Sequence, residues 1–216
     1  AQRPGAGTGT VGGFLTDPAA FDTELFRVSP AEARLWDPQL KLLLRVVWEC
    51  LENAGYTAAA LRRTAPRIGV FTAVMWHDHR QAGADDRGPG EPAAVTALGS
   101  DIPNRISHFF DFQGPSVAVD TSCSSSLTAL HMAVQSLSAG ECDAAVVTGV
   151  NLIGHPYHLE VLSDLGVIAS RGDGAAFDTD STGWLPGEGA GAVLLRPAAA
   201  AARERDNLLG IVEATW

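Results

Sequence analysis

The sequence carries no excess of positive charge: 15 Lys and Arg face 25 Asp and Glu, for a formal net charge of −10 at pH 7. That balance creates no basic surface field of the kind that draws in nucleic acid or anionic lipid, and both partner classes are set aside. Cysteine is scarce, with Cys50, Cys123 and Cys142 scattered and without paired spacing. An odd number of isolated thiols reads as a reduced chain rather than a disulfide framework, so the cytoplasm is the expected location. No run approaches about 18 consecutive apolar residues, and the opening AQRPGAGTGT lacks the charged and apolar regions of a signal peptide. No segment for a membrane or for export is therefore expected. Convincing internal repeats are missing. His77 and His79 flank Asp78, yet no other Cys, His or Asp group stands at a matching spacing, and no metal is expected. The chain opens on Ala1 rather than Met, which suits an excerpt, a processed chain or one part of a larger protein.

What is present suffices for a core. With 216 residues, 46% of them hydrophobic, the chain fits one domain or a large piece of one. Residues 1–10, rich in Gly and polar residues, are expected to form a mobile lead-in or linker, with order beginning near Val11. Ser29-Pro30-Ala31-Glu32 is a capping box with Pro at the first helical position, and predicts a short helix over Pro30–Leu35. Asp37-Pro38 repeats the start signal. Leu40, Leu43, Leu44, Val47 and Leu51 then recur at helical spacing up to Gly55. Arg67–Val74 predicts a strand opening into a long polar loop over Trp76–Pro92, and Asp101–Phe110 predicts a helix. Ser116–Asp120 reads as a strand, and Thr121–Ala139 as a helix with Leu127, Leu130, Val134 and Leu137 on its core face and Gly140 closing it. Asp143–Val150 is a buried strand, the glycine-rich run Thr182–Gly191 feeds Ala192–Leu195, and Leu208–Ala214 is expected as a last strand. Strands apolar on both faces, alternating with helices, indicate a layered α/β fold.

The most informative stretch is VAVDTSCSSSL, residues 117–127, which places Cys123 where a buried strand turns into a helix. Backbone N–H groups at a helix start lack intrahelical partners, and the helix dipole puts partial positive charge there, so the thiolate form of Cys123 would be stabilised and able to attack a thioester. A lone cysteine is more often a buried packing residue. Here the surrounding motif reverses that weighting.

The segment VDTSCSSSLTALHMAVQSLSAGECDAAVVTGVN resembles the active-site region of type I modular polyketide-synthase β-ketoacyl synthases (ketosynthases) of the thiolase superfamily. DPQLKLLLRVVWECLENAGY, GVFTAVMWHDH, PNRISHFFDFQGPSVAVDTSCSSS and AFDTDSTGWLPGEGAGAVLL extend the resemblance in the family's order, over roughly Gly13 to the end. It implies a thiolase-like α/β/α half-domain over 11–216, with a mixed sheet and a buried central helix after the nucleophile. It further implies that Cys123 accepts the growing acyl chain from an acyl carrier protein, with its own backbone N–H as one oxyanion donor. The expected partners are the carrier protein, which presents substrates on its phosphopantetheine, a complementary C-terminal half, and a second copy in a homodimer paired through the strand Val117–Asp120. No directly bound cofactor is implied.

Relatives use two histidines, in HGTGT-like and NxGH-like segments, and a nearby lysine, all from the second half of the fold. None of those segments occurs here, so the chain alone is not expected to condense. The alternative to an elongating ketosynthase is a related domain that only accepts, transfers or gates acyl groups. A non-catalytic dimer-stabilising domain is a third class, against which the intact VDTSCSSS argues, and thiolases and type III starters match less well. His108 and His131 read as satisfied helix residues, while His155 and His158, after a strand, are weaker candidates for lining a tunnel. Glu188, in the Gly187-Glu188-Gly189 turn, is assigned neither acid nor base. The chain departs from the family at residues 168–178, at Thr148, where glycine is frequent and a side chain would narrow a pocket, and in lacking an IAIIG-like first strand before Val11.

Overall fold

The computed structural model describes residues 11–85, 98–170, 172 and 175–215. The linker expected over 1–10 lies outside the described residues.

Local capping chemistry starts the first helices where the sequence places them. In α1 (Pro30–Leu35) the Ser29 hydroxyl accepts from Glu32 N–H at 3.1 Å. In α2 (Pro38–Asn53) the buried Asp37 carboxylate accepts from Gln39 N–H at 2.8 Å. Burial pushes the Asp37 carboxyl above the ordinary Asp range, against that hydrogen bond. Leu40, Leu43, Leu44, Val47 and Leu51 are buried along α2, as their spacing requires. Thr57 caps α3 (Ala58–Thr64), and β1 (Ile68–Ala73) follows, buried throughout.

The long loop expected from Trp76 is partly helical: α4 spans Asp78–Asp85, and residues 86–92 lie outside the described residues. The segment is polar and contains Gly83, so its own propensity is weak. Tertiary anchors hold it instead, with the His79 ring bonded to Leu35 O and Asp78 bound across the fold. Next come α5 (Asp101–Phe110), closed by Asp111 in the left-handed region at φ 55°, and β2 (Ser116–Val119). Then α6 (Ser125–Ser138) ends with Gly140 at φ 71°, the expected glycine cap, and β3 (Ala144–Asn151) leads to α7 (Pro156–Asp164). The chain closes with β4 (Gly189–Leu195) and α8 (Ala198–Glu204). The expected strand Leu208–Ala214 pairs with no strand, and its Leu209 and Ile211 stand exposed. β4 is an end strand of the sheet, and residues 208–212 lie across a cleft from it without forming a ladder.

The sheet order is β2-β1-β3-β4, with β1 parallel to both neighbours and β4 antiparallel to β3. Period-two alternation splits the core into two layers. Ile68, Val70, Ala144 and Val146 face α2 and α5, while Phe71, Ala73, Ala145 and Val147 face α6. The result is the α/β/α arrangement with a mixed sheet.

The contact face of α6 differs from the leucine stripe expected. Ser125, Ala129, Ala133 and Ser136 are its buried residues, whereas Leu127 is 73% exposed. Small residues about four apart let the helix axis lie close to the sheet and turn Leu127 away. Leu130 and Leu137 do pack, partly buried, against the core layer on this side of the sheet, and with Val134 they also line a cleft of about 880 Å³ together with Cys50 and residues 208–212.

Candidate active site

Because β1, β2 and β3 are parallel, their C-terminal ends share one edge, and the register sets Ala73 level with both Val119 and Gly149. Ligand sites in α/β sheets gather at this edge. Cys123 lies four residues past Val119, in the turn from β2 to α6.

Short polar side chains hold the turn. The Asp120 carboxylate accepts from Ser122 N–H at 3.0 Å, and Ser122 adopts φ 58°, a left-handed conformation costing a non-glycine residue about 1–3 kcal/mol. Ser125 Oγ accepts from Thr121 N–H at 2.9 Å and donates to Ser122 O at 2.6 Å. Ser124 Oγ donates to Thr121 O at 2.8 Å. α6 consequently begins later than Thr121, and Cys123 precedes the cap residue Ser124, whose side chain leaves the helix start uncapped. The thiol is exposed at the apex.

The other thiols are packed. Cys50 is half-buried in α2, and Cys142 is buried with Sγ 3.4 Å from Ser136 Oγ. Burial pushes both thiols up from the ordinary cysteine range, which disfavours the reactive thiolate.

The structure gives the histidines local partners. His158 is 1% exposed, its Nδ1 donates to Asp78 Oδ2 at 2.9 Å, and its ring stacks on Trp76. His155 caps α7, accepting from Tyr157 N–H. His131 pairs with Thr215 and His108 is exposed on α5, while His77 rests against Gly99. Thr148 is buried and donates to Thr72 Oγ1 at 2.9 Å, so its hydroxyl is spent inside the sheet rather than narrowing a pocket. No group of three or more potential metal-ligating side chains occurs among the described residues.

Glu188, which the sequence reading leaves within a glycine turn, accepts from Leu15 N–H at 2.8 Å and from Ile153 N–H at 2.9 Å. Gln39 and Asp78 also reach the chain after β3 and went unrecognised as site residues. Asp78 carried one available signal, an acidic residue within a polar HDH segment, but its partners lie about 76 residues away.

Residues 1–201 match the family described as β-ketoacyl synthase, N-terminal domain. Polyketide synthase PksL of Bacillus subtilis is 43% identical over 219 residues, covering 99% of this chain and 5% of that protein. Polyketide synthase ThaG of Burkholderia thailandensis is 40% identical over 204 residues, covering 94% of this chain and 4% of that protein. Among solved structures, the oxazolomycin ketosynthase domain OzmH KS7 of Streptomyces albus superimposes with a TM-score of 0.85 at 42% identity, covering 91% of this chain and 34% of that one. The ketosynthase from module 6 of the bacillaene synthase of Bacillus subtilis gives 0.79 at 33% identity, covering 90% and 33%. The chain thus spans about a third of those solved ketosynthases and a small fraction of the curated relatives.

Proposed function

We propose, from the premise that this chain belongs to the β-ketoacyl synthase family as its N-terminal domain in the polyketide-synthase branch, that Cys123 is the acyl acceptor of a decarboxylative Claisen condensation. The observation that carries this is the exposed Cys123 thiol, held at the apex of the β2–α6 turn inside the family's nucleophile motif. The Cys123 sulfur attacks the thioester carbonyl presented on carrier-protein phosphopantetheine. A new S–C bond forms, and the pantetheine thiol leaves with a proton. A malonyl-type unit then loses CO₂. The resulting carbanion attacks the acyl-Cys123 carbonyl, forming the C–C bond and releasing the cysteine sulfur.

Decarboxylation needs donors that stabilise an enolate, which a thiol does not supply. We assign that step to histidines of a complementary C-terminal half, acting with residues 11–216. The chemistry uses no metal or nucleotide bound to this chain. The test offers an acyl thioester to a complete ketosynthase containing this chain and locates the adduct by peptide mass spectrometry. Acylation at Cys123, with condensation lost in Cys123→Ala, is expected. Acylation at Cys50 or Cys142, or undiminished condensation by Cys123→Ala, overturns the mechanism. Acylation at Cys123 without condensation identifies a domain that only transfers or gates acyl groups.

A further inference from the structure

The segment that leaves β3 is irregular, yet its backbone donors are fully committed. Four successive N–H groups end on side chains from three distant elements. Leu152 N–H donates to Gln39 Oε1 at 3.3 Å, and Ile153 N–H to Glu188 Oε1 at 2.9 Å. Gly154 N–H and His155 N–H both donate to Asp78 Oδ2, at 2.9 and 3.2 Å. The three acceptors are themselves tied down. Gln39 Nε2 donates to Trp76 O at 2.8 Å, Glu188 Oε2 accepts from Leu15 N–H, and Asp78 Oδ2 takes a third donor from His158 Nδ1.

This bracing is costly to build. Asp78 is 4% exposed, and its Oδ1 is buried without a hydrogen-bond partner among the described residues. A buried unsatisfied acceptor costs about 1–3 kcal/mol, and more when charged. Leu152 and Ile153 are buried away from water, so their donors must be met within the protein, and here distant side chains rather than local turns meet them. Backbone tied to three separate parts of the chain is held in one position.

The braced segment leaves the same edge of the sheet as the turn that carries Cys123. It begins three residues past Gly149, which is level with Ala73 and abuts the start of α6: a Cβ on Gly149 would lie 2.9 Å from Ser126 Oγ. Ser126 is three residues past Cys123. A shift of Leu152–His155 would therefore move α7 relative to the thiol.

We propose that Gln39, Asp78 and Glu188 are positioning residues for acyl transfer: together they fix the backbone Leu152–His155 at the sheet edge that carries Cys123, and so limit the acyl groups that Cys123 accepts. The inference rests on Cys123 being the acyl acceptor. Glu188→Gln is nearly isosteric but sets an amide donor against one of two backbone donors; Asp78→Ala removes the acceptor of Gly154 and His155, since an Asn could keep its carbonyl oxygen at the Oδ2 position. Gln39→Glu keeps an acceptor for Leu152 and removes the donor to Trp76 O.

The experiment measures Cys123 acylation rates in the complete ketosynthase with acetyl and octanoyl N-acetylcysteamine thioesters, alongside thermal midpoints. Displacements of about an ångström cost up to roughly 100-fold in reactions that depend on orientation. The octanoyl-to-acetyl rate ratio is expected to change by about tenfold or more in the variants, with the acetyl rate nearly kept. Asp143→Asn, at the opposite end of β3, serves as a control whose ratio should stay fixed. Equal losses for both thioesters, or an unchanged ratio in folded variants, would overturn the proposal. If Asp78→Ala and Glu188→Gln do not fold, the ratio in Gln39→Glu decides. Failure of the unaltered enzyme to acylate Cys123 refutes the underlying reading instead.

Discussion

Gly149 on β3 and Ser126 in the first turn of α6 are packed so closely that a methyl group on Gly149 would lie 2.9 Å from Ser126 Oγ. The helix that follows Cys123 rests on bare backbone at this point. Gly149→Ala should push Ser126 away, costing about 1–3 kcal/mol of stability and slowing Cys123 acylation by about tenfold. Ser126→Ala removes the obstructing oxygen, so the double variant should recover most of both losses. Denaturant midpoints and acylation rates measured over the four proteins of the cycle check this; loss without recovery places the clash elsewhere.

Alkylation should discriminate among the three thiols by exposure. Iodoacetamide at neutral pH is expected to label Cys123 at least tenfold faster than Cys50 or Cys142, whose burial disfavours their thiolates. Peptide mass spectrometry over time reads the order. Faster labelling of Cys142 would show that the β3 entrance opens more readily than its packing implies.

Asp143 and Arg67 couple stability to acid. The Arg67 guanidinium hydrogen-bonds the Asp143 carboxylate and holds its carboxyl below the ordinary Asp range. A depressed folded-state value means that the contribution is complete above the unfolded value of about 3.9 and disappears as pH falls through the folded value. Asp143→Asn should therefore lower stability at pH 7 by about 1 kcal/mol or less, given the partly exposed pair. The difference from the unaltered protein should shrink as pH falls from 7 toward 2. Urea unfolding at both pH values measures it.

The isolated chain should self-associate. Leu127, Leu208, Leu209 and Ile211 are each more than half exposed, and an uncovered 1,000 Å² of apolar surface forgoes roughly 25 kcal/mol at about 25 cal/mol per Å². Light scattering should report aggregates for the chain alone and a defined particle when a C-terminal half is present. A soluble, cooperatively folding monomer would refute this.

β2 is an edge strand of the described sheet, which fits pairing with a second copy. Ultracentrifugation of the complete ketosynthase should give twice the protomer mass. A monomer whose β2 edge is covered by its own chain would exclude this pairing.

Legibility in the sequence followed the range of the forces involved. Ser29 and Asp37 act within one helical turn, so the starts of α1 and α2 are readable to the residue, and Gly140 marks the end of α6, whose start falls four residues past the expected Thr121. α4 and α7 were not readable, because Asp78 reaches over 76 residues to secure both, and His155 is an uncommon cap. α8 is built from a run of alanines, whose high propensity carries no apolar period to mark a buried face. At the site, Cys123 is legible from its motif. The clamp of Gln39, Asp78 and Glu188 is not, because each is a common polar residue whose meaning depends on tertiary partners.

The position of β1 between two parallel neighbours has a consequence during synthesis. Its partners end at Val119 and Asn151, so a six-residue strand that is apolar on both faces leaves the ribosome well before either edge can be satisfied. At about 5–20 residues per second, the delay before β3 is complete is on the order of ten seconds. Over that interval the segment IGVFTA has neither of its strand partners complete, so its backbone donors and apolar side chains await cover that only later residues bring.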